Sequence, residues 1–390
     1  MRRPILPLVI VTATCASFFL IASAEKENLK LVLVEQRPTP VITIKSQGAE
    51  GIRYGFEGGR VVKIGGTYHL FTSEMVGDPF WVKMKLGYWT SKDRVNWKRV
   101  STVFESSGEY AGKDPRAALW SPLPVYEDGE DLWNLFYVAY RSQPSTDTKW
   151  LNNYDGMIWR AISAAKGSNG IGGPYKDAGI VMQPGPDSDS WEGLQGTDSF
   201  FPYRVDGKWY AFFGSANTEM KDEGTLRGPW SVGLGAAPEL AGPWKRLSEM
   251  NPLKIEPVFI ENPIVTKLED GTYLAVYDCH TANAIGFTYS TDGIRWAAGQ
   301  AVVIQPKGKG RWADDVRTPL GLVPEGDDTF TVFYTGYENV KSQFPDVSEP
   351  GDAAVGFVTV KLSRGSDLVT ERGKATKTVM VSIDPGNKKR

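Results

Sequence analysis

A polar residue heading a short apolar strand, then a glycine-containing turn, then an aromatic strand, is a plan that recurs along this chain. The clearest copy is Phe259–Asp278, FIENPIVTKLEDGTYLAVYD. Its flanks are β-branched and aromatic, and Asp270-Gly271 between them suits the φ > 0 geometry of a tight turn, so the stretch predicts strand, turn, strand. Glu261 stands at the head of the apolar strand, where a carboxylate is costly to bury without a partner or a use. Four further copies are Phe56–Glu74, Trp120–Arg141, Thr197–Ala216 and Asp314–Tyr337. Additional strand signals follow at Tyr88–Trp97, Ile162–Tyr175, Gly233–Trp244, Phe287–Trp296 and, more simply, Ala353–Leu362. The copies start at Glu57, Ser121, Asp198, Glu261 and Asp315, with spacings of 64, 77, 63 and 54 residues. Four strands per unit, five times over, predict an all-β fold, a five-bladed β-propeller with four-stranded blades. A many-stranded β-sandwich is the alternative, but it does not call for five copies of one plan.

The ends of the chain read differently. Arg2-Arg3, an apolar run from Ile5 to Ile21 and Ala22-Ser23-Ala24 predict a secretory signal peptide over residues 1–24, removed after Ala24. An uncleaved anchor is the alternative, because the apolar run is near the lower limit for a membrane span. Residues 25–50 form a lead-in with a short strand at Leu29–Val34, residues 51–364 the propeller, and residues 365–390 a tail with a strand at Thr376–Ile383. The expected location is secreted or periplasmic. With Cys15 removed, Cys279 is the only cysteine of the mature chain, so an intramolecular disulfide is excluded. Next to His280 it reads as a small buried hydrophobe before a thiol nucleophile. His69 and His280 are the only histidines, which excludes a multi-histidine metal site. A net charge of −2 supplies no basic footprint for nucleic acid.

The chemistry should lie where the blades meet. The first strand of each blade lines the central channel of a propeller, so Glu57, Ser121, Asp198, Glu261, and Asp314 or Asp315 with Arg317 converge. Carboxylates facing one cavity can divide the work: one stays ionised as base or nucleophile, while burial and repulsion keep another protonated as an acid. That is the logic of glycosidic bond cleavage. Trp81, Trp120, Trp191 and Trp312 lie near these heads and offer flat faces for sugar rings. The long loops Ser142–Asp155 and Gln183–Gly196 are placed to shape the site. Two turns, built on Ser91, Asp93 and Trp97 and on Ser290, Asp292 and Trp296, read as structural, with the Ser and Asp satisfying turn N–H groups and the Trp packing between blades.

These units, turns and blade-head carboxylates resemble the five-bladed propeller glycoside hydrolases of families 43 and 62 (inverting) and 32 and 68 (retaining), most closely family 43. The resemblance covers about Gly55–Leu362. It implies that Glu57 is the general base of an inverting enzyme, or the nucleophile of a retaining one. It implies that Asp198, in Gly196-Thr197-Asp198-Ser199, orients the acid and tunes its pKa. Glu261, in Glu261-Asn262-Pro263, matches the Glu-Gly-Pro-like motif that carries the general acid. Glu57 replaces the usual Asp, and Asn262 stands where Gly is usual. The implied function is a secreted hydrolase of plant or algal polysaccharides or oligosaccharides. Trp120, Ser121, Trp191, Asp315, Arg317, Trp312 and His280 are its expected substrate-binding residues, with His280 near the channel floor. The expected partner is carbohydrate, with no nucleic acid and no stable membrane association after signal cleavage. No organic cofactor is implied; Ca²⁺ is admitted, although the sequence offers no ligand loop for it. The rival readings are a non-catalytic carbohydrate-binding propeller that has lost its base, and a phosphorylase, which would need more cations than Arg60 and Arg317. A sialidase would need an arginine triad and usually six blades.

Overall fold

Each of the five repeated stretches folds as an antiparallel four-stranded sheet, and together they make a five-bladed propeller. A computed structural model describes residues 28–220, 226–228, 230–304, 312–338 and 351–365. The expected signal segment and the tail strand at 376–383 lie outside the described residues. Blade 1 comprises Gly55–Ile64, Thr67–Met75, Met84–Ser91 and Trp97–Glu105, and blade 2 Ala118–Glu127, Leu132–Arg141, Tyr154–Lys166 and Tyr175–Met182. Blade 3 comprises Asp198–Val205, Lys208–Ser215, Ser231–Ala237 and the two-residue Lys245–Arg246. Blade 4 comprises Ile260–Lys267, Tyr273–Cys279, Ala284–Ser290 and Gln300–Val303. The described residues contain no α-helix, only a 3₁₀ turn at Ser168–Gly172.

Burial falls from the inner strands outward, as the sequence pattern requires. Leu132–Arg141 is buried at nearly every position, because a second strand has a neighbouring blade on both faces. Trp97–Glu105, an outer strand, leaves alternate residues exposed. Blade 5 consists of Asp315–Gly326, Thr329–Tyr337 and Ala353–Ser363, completed by Lys30–Gln36 from the other end of the chain. The strand expected in the lead-in is therefore the outer strand of the last blade. Lys30 pairs with Ser363 and Gln36 with Val358, which closes the ring by backbone hydrogen bonds and covers an otherwise open edge. Ile42, Ala49 and Ile52 then pack with Phe56, Leu320 and Phe333 between blades 5 and 1.

The two Ser–Asp–Trp turns behave as the sequence indicates. Asp93 Oδ1 accepts the N–H groups of Val95 (2.9 Å) and Asn96 (2.7 Å), and Trp97 meets Phe333 of blade 5 edge-on. Asp292 Oδ1 accepts the N–H groups of Ile294 (2.9 Å) and Arg295 (2.7 Å), and Trp296 packs on Phe212 of blade 3.

Candidate active site

The inner strands are all bulged near their heads. In blades 1 to 4 the register slips by one residue just after Glu57, Trp120, Asp198 and Glu261. The residue that follows each, Gly58, Ser121, Ser199 or Asn262, has φ between 51° and 66°. A bulge with a left-handed residue bends the strand and re-aims the side chain before it, here toward the channel. This accounts for Asn262: Asn enters that region more readily than most residues, so it preserves the backbone a Gly would give. It also corrects the sequence reading of blade 2, where Trp120 holds the position equivalent to the carboxylates and Ser121 is the bulge residue. In blade 5 the register slips between Val316 and Pro319, and Arg317 and Thr318 lie at the slip.

Hydroxyl groups tie these heads together across blades. Ser121 N–H donates to Ser73 Oγ (2.9 Å), Asn262 N–H to Ser199 Oγ (3.1 Å), and Thr318 Oγ1 to Glu57 Oε1 (3.3 Å). The heads surround a cavity of about 720 Å³ lined by Glu57, Asp198, Glu261, Arg317, Tyr140 and Gln195, among others. A second cavity of about 360 Å³ lies among the same bulges, lined by Gly59, Ser199, Pro263 and Pro319.

Charge in the site is crowded around one cation. Arg317 Nη2 lies 3.4 Å from Glu57 Oε1, and its Nε lies 3.9 Å from Oδ2 of Asp278, which pairs across the sheet with Glu261. Burial raises the Glu57 pKa, while Arg317 and the Thr318 hydroxyl oppose the rise. Glu261 is raised well above the usual range by burial; Arg317 opposes this, and the carboxylates of Asp278, Asp198 and Glu57 add to it. Burial also raises Asp198, against hydrogen bonds donated by the Tyr140 hydroxyl and the Ser199 N–H. Asp278 is pushed up to about 7 by burial, against Arg317 and with help from Asp315 and Glu57. Arg317 itself is shifted upward: burial opposes, but Asp278, Glu57, Glu261 and Asp315 prevail. Glu57 Oε2, Asp278 Oδ2 and Arg317 Nε are buried without hydrogen-bond partners, leaving capacity at the site.

The aromatic walls are only partly those expected. Trp120 lines the cavity, stacked on Trp81 at 5.1 Å, with Trp150 and Trp230 on further sides. Trp81 is fixed because its carbonyl accepts from Trp120 Nε1 and Asn153 Nδ2, both at 3.2 Å. Trp191 and Trp312 do not line it. Trp191 packs on Phe213 and donates to Asp189, while Trp312 is buried in blade 5, stacked on Tyr334 against Gly336 and Gly356. His280 is not at a channel floor either; it is exposed, just past the second strand of blade 4, near Glu256. Asp315 acts on the cluster through its charge but does not line the cavity. Cys279 is buried, which pushes its thiol up to about 12 and removes it as a nucleophile. Sequence reasoning missed Asp278, Tyr140, Gln195 and Trp230. For Asp278 a signal existed, a charged residue ending an otherwise apolar and aromatic strand.

No protein-family profile matches the sequence, and no curated protein does either. Solved structures share the fold, among them five-bladed propeller glycoside hydrolases. The family 117 glycoside hydrolase Zg3597 of the marine bacterium Zobellia galactanivorans superposes with a TM-score of 0.53, at 13% identity over 86% of this chain and 90% of that one. A second solved glycoside hydrolase superposes with a TM-score of 0.58, at 14% identity over 84% of this chain and 92% of that one. A thermostable family-43 glycoside hydrolase gives a TM-score of 0.45 at 18% identity, over 83% of this chain and 92% of that one.

Proposed function

We propose that this protein is a glycoside hydrolase that cleaves plant or algal polysaccharides or oligosaccharides with inversion, outside the cytoplasm, after removal of residues 1–24. The observation that carries the reading is the convergence of Glu57, Asp198 and Glu261, from three different blades, on one tryptophan-walled cavity. Burial and the carboxylates of Asp278, Asp198 and Glu57 favour the protonated form of Glu261, while the Thr318 hydroxyl that donates to Glu57 favours the ionised form of Glu57. That division supplies an acid and a base together.

In the proposed reaction Glu57 takes a proton from water as the water oxygen bonds to the anomeric carbon. The bond from that carbon to the leaving oxygen breaks, and Glu261 gives its proton to that oxygen. Each product carries a new hydroxyl, and proton exchange with solvent returns both carboxyls to their starting states. Asp198, fixed by Tyr140 and Ser199, holds negative charge near Glu261. The tryptophans offer faces to the sugar rings. Phosphorolysis is disfavoured, because Arg317, the cation lining the cavity among the described residues, is already engaged by Glu57 and Asp278.

The test is reducing-sugar release on a panel of arabinans, xylans, fructans and algal polysaccharides, with wild type beside Glu261→Gln. Release that disappears in the variant supports the reading and names the sugar. Release unchanged by the variant sinks the acid assignment. Sugar binding without release on any glycan gives the site to a non-catalytic lectin-like propeller. NMR of the first-formed anomer decides inversion, for which the two carboxyls should stand about 6.5–9.5 Å apart.

A further inference from the structure

The mechanism above leaves one buried carboxylate at the site without a role. Asp278 is 2% exposed and lies directly opposite Glu261 in the antiparallel pair of blade 4. Directly opposite residues project from the same face, with Cβ atoms about 5 Å apart, and like charges in that position repel. At the corresponding sites blade 1 has Ser73, blade 2 Val138 and blade 3 Gly214, all uncharged. Only blade 4 of these sets one carboxyl against another. Asp278 also makes poor use of its nearest cation, since Arg317 Nε is 3.9 Å from Oδ2 and neither atom makes a hydrogen bond. A group placed for stability would be expected to gain a better pairing than this.

We propose that Asp278 is a positioning residue that keeps the proton on Glu261, because loss of that proton would create a second anion directly beside the Asp278 carboxylate. The inference rests on Glu261 being the acid of the hydrolase proposed above. The charged and titratable groups facing Asp278 are Glu261 on its own blade, Arg317 and Asp315 on blade 5, and Glu57 on blade 1. Glu261 is faced in addition by Asp198 and Tyr140. Burial places the Asp278 ionisation near pH 7, so its charge appears as the solution becomes neutral and opposes loss of the second proton from then on. The device widens the working range on the alkaline side only. Below neutrality Asp278 is uncharged and adds nothing to the acid limb set by Glu57.

The experiment compares kcat/KM against pH for wild type, Asp278→Asn and Asp278→Glu, with thermal melts to verify folding. In Asp278→Asn the alkaline limb should move down by about one pH unit, as expected for losing one charge at this range. The acid limb should stay, because Asn resembles the protonated Asp278. Asp278→Glu, which keeps a carboxylate, should return the alkaline limb toward wild type. A profile that is merely scaled down, with both limbs in place, would overturn the proposal. Difference infrared titration of the protonated-carboxyl band gives the same reading without turnover. Wild type should lose a buried-carboxyl band near pH 7 from Asp278 and the Glu261 band in a separate upper step, and in Asp278→Asn the near-neutral step should vanish while the upper step moves down. An upper step unmoved by the substitution overturns the idea, and so does a wild type with no buried carboxyl titrating near neutrality, which decides the matter if Asp278→Asn does not fold. If no glycan is cleaved, the hydrolase reading fails, and the infrared titration still decides whether the pair is coupled.

Discussion

The acids of the channel and the acids of the turns are the same residue types in opposite circumstances. Asp93 is held well below the usual range, first by the backbone N–H of Asn96, then by the Asn96 amide and the N–H of Val95. Asp292 lies at about 2: burial works against the shift, but N–H groups from Arg295 and Ile294, the Arg295 side chain and the Ser290 hydroxyl outweigh it. Glu57, Asp198, Glu261 and Asp278 go the other way, because burial leads in each case and donors are few. A carboxylate that serves architecture is given enough N–H groups to stay ionised. The channel carboxyls receive few such donors, and burial holds them toward the neutral form.

The most direct way to break this contrast is to remove one acid of each kind. Glu261→Gln should lower kcat by about 10²–10⁴-fold without lowering the melting temperature, whereas Asp292→Asn should leave kcat unchanged; reducing-sugar assays and thermal melts measure both. Arg317→Gln should come next. Without the guanidinium the channel acids lose their buried counter-charge, at a cost of about 3–5 kcal/mol in urea unfolding, and the acid limb of the activity profile should move to higher pH as Glu57 loses its neighbouring cation.

The pH dependence of stability sharpens the contrast further. The channel acids have folded pKa values above their unfolded ones, so their stabilisation is complete below about pH 4 and is lost as pH rises through the folded values, about 7 for Asp278. Asp292 is the reverse: its contribution is present above its unfolded pKa and is lost as pH falls through about 2. From mildly acid to neutral pH only the channel acids should therefore tilt the curve. The melting temperature should fall over that interval, and Asp278→Asn should flatten the slope. The smallest effect should come from Asp292→Ala, which removes a turn anchor and should cost about 1 kcal/mol in urea unfolding while leaving both limbs of the activity profile in place.

The repeat made much of this site legible. Glu57, Asp198 and Glu261 could be expected to meet because equal positions in a repeat become equal positions around a ring, and all three line the cavity. The blade 2 head was read one residue late because a bulge adds a residue without changing the composition of the strand. Tryptophans carried by connections were harder to assign. Trp150 and Trp230 line the cavity, but Trp191 and Trp312 turn into blade packing, and nothing local distinguishes the two outcomes.

The sequence by itself determined the five units, their order of strands, the polar heads of the inner strands and the self-capping turns. These depend on side-chain alternation, turn residues and hydrogen bonds within a few positions of each other. Only the tertiary structure decided that Lys30–Gln36 completes the last blade, that Asp278 stands opposite Glu261, and that Arg317 lies between Asp278 and Glu57. Those relations join residues as much as 333 positions apart in the chain, Lys30 and Ser363. They are fixed by strand register and by the closing of the ring, which set distances between charges that no local pattern encodes.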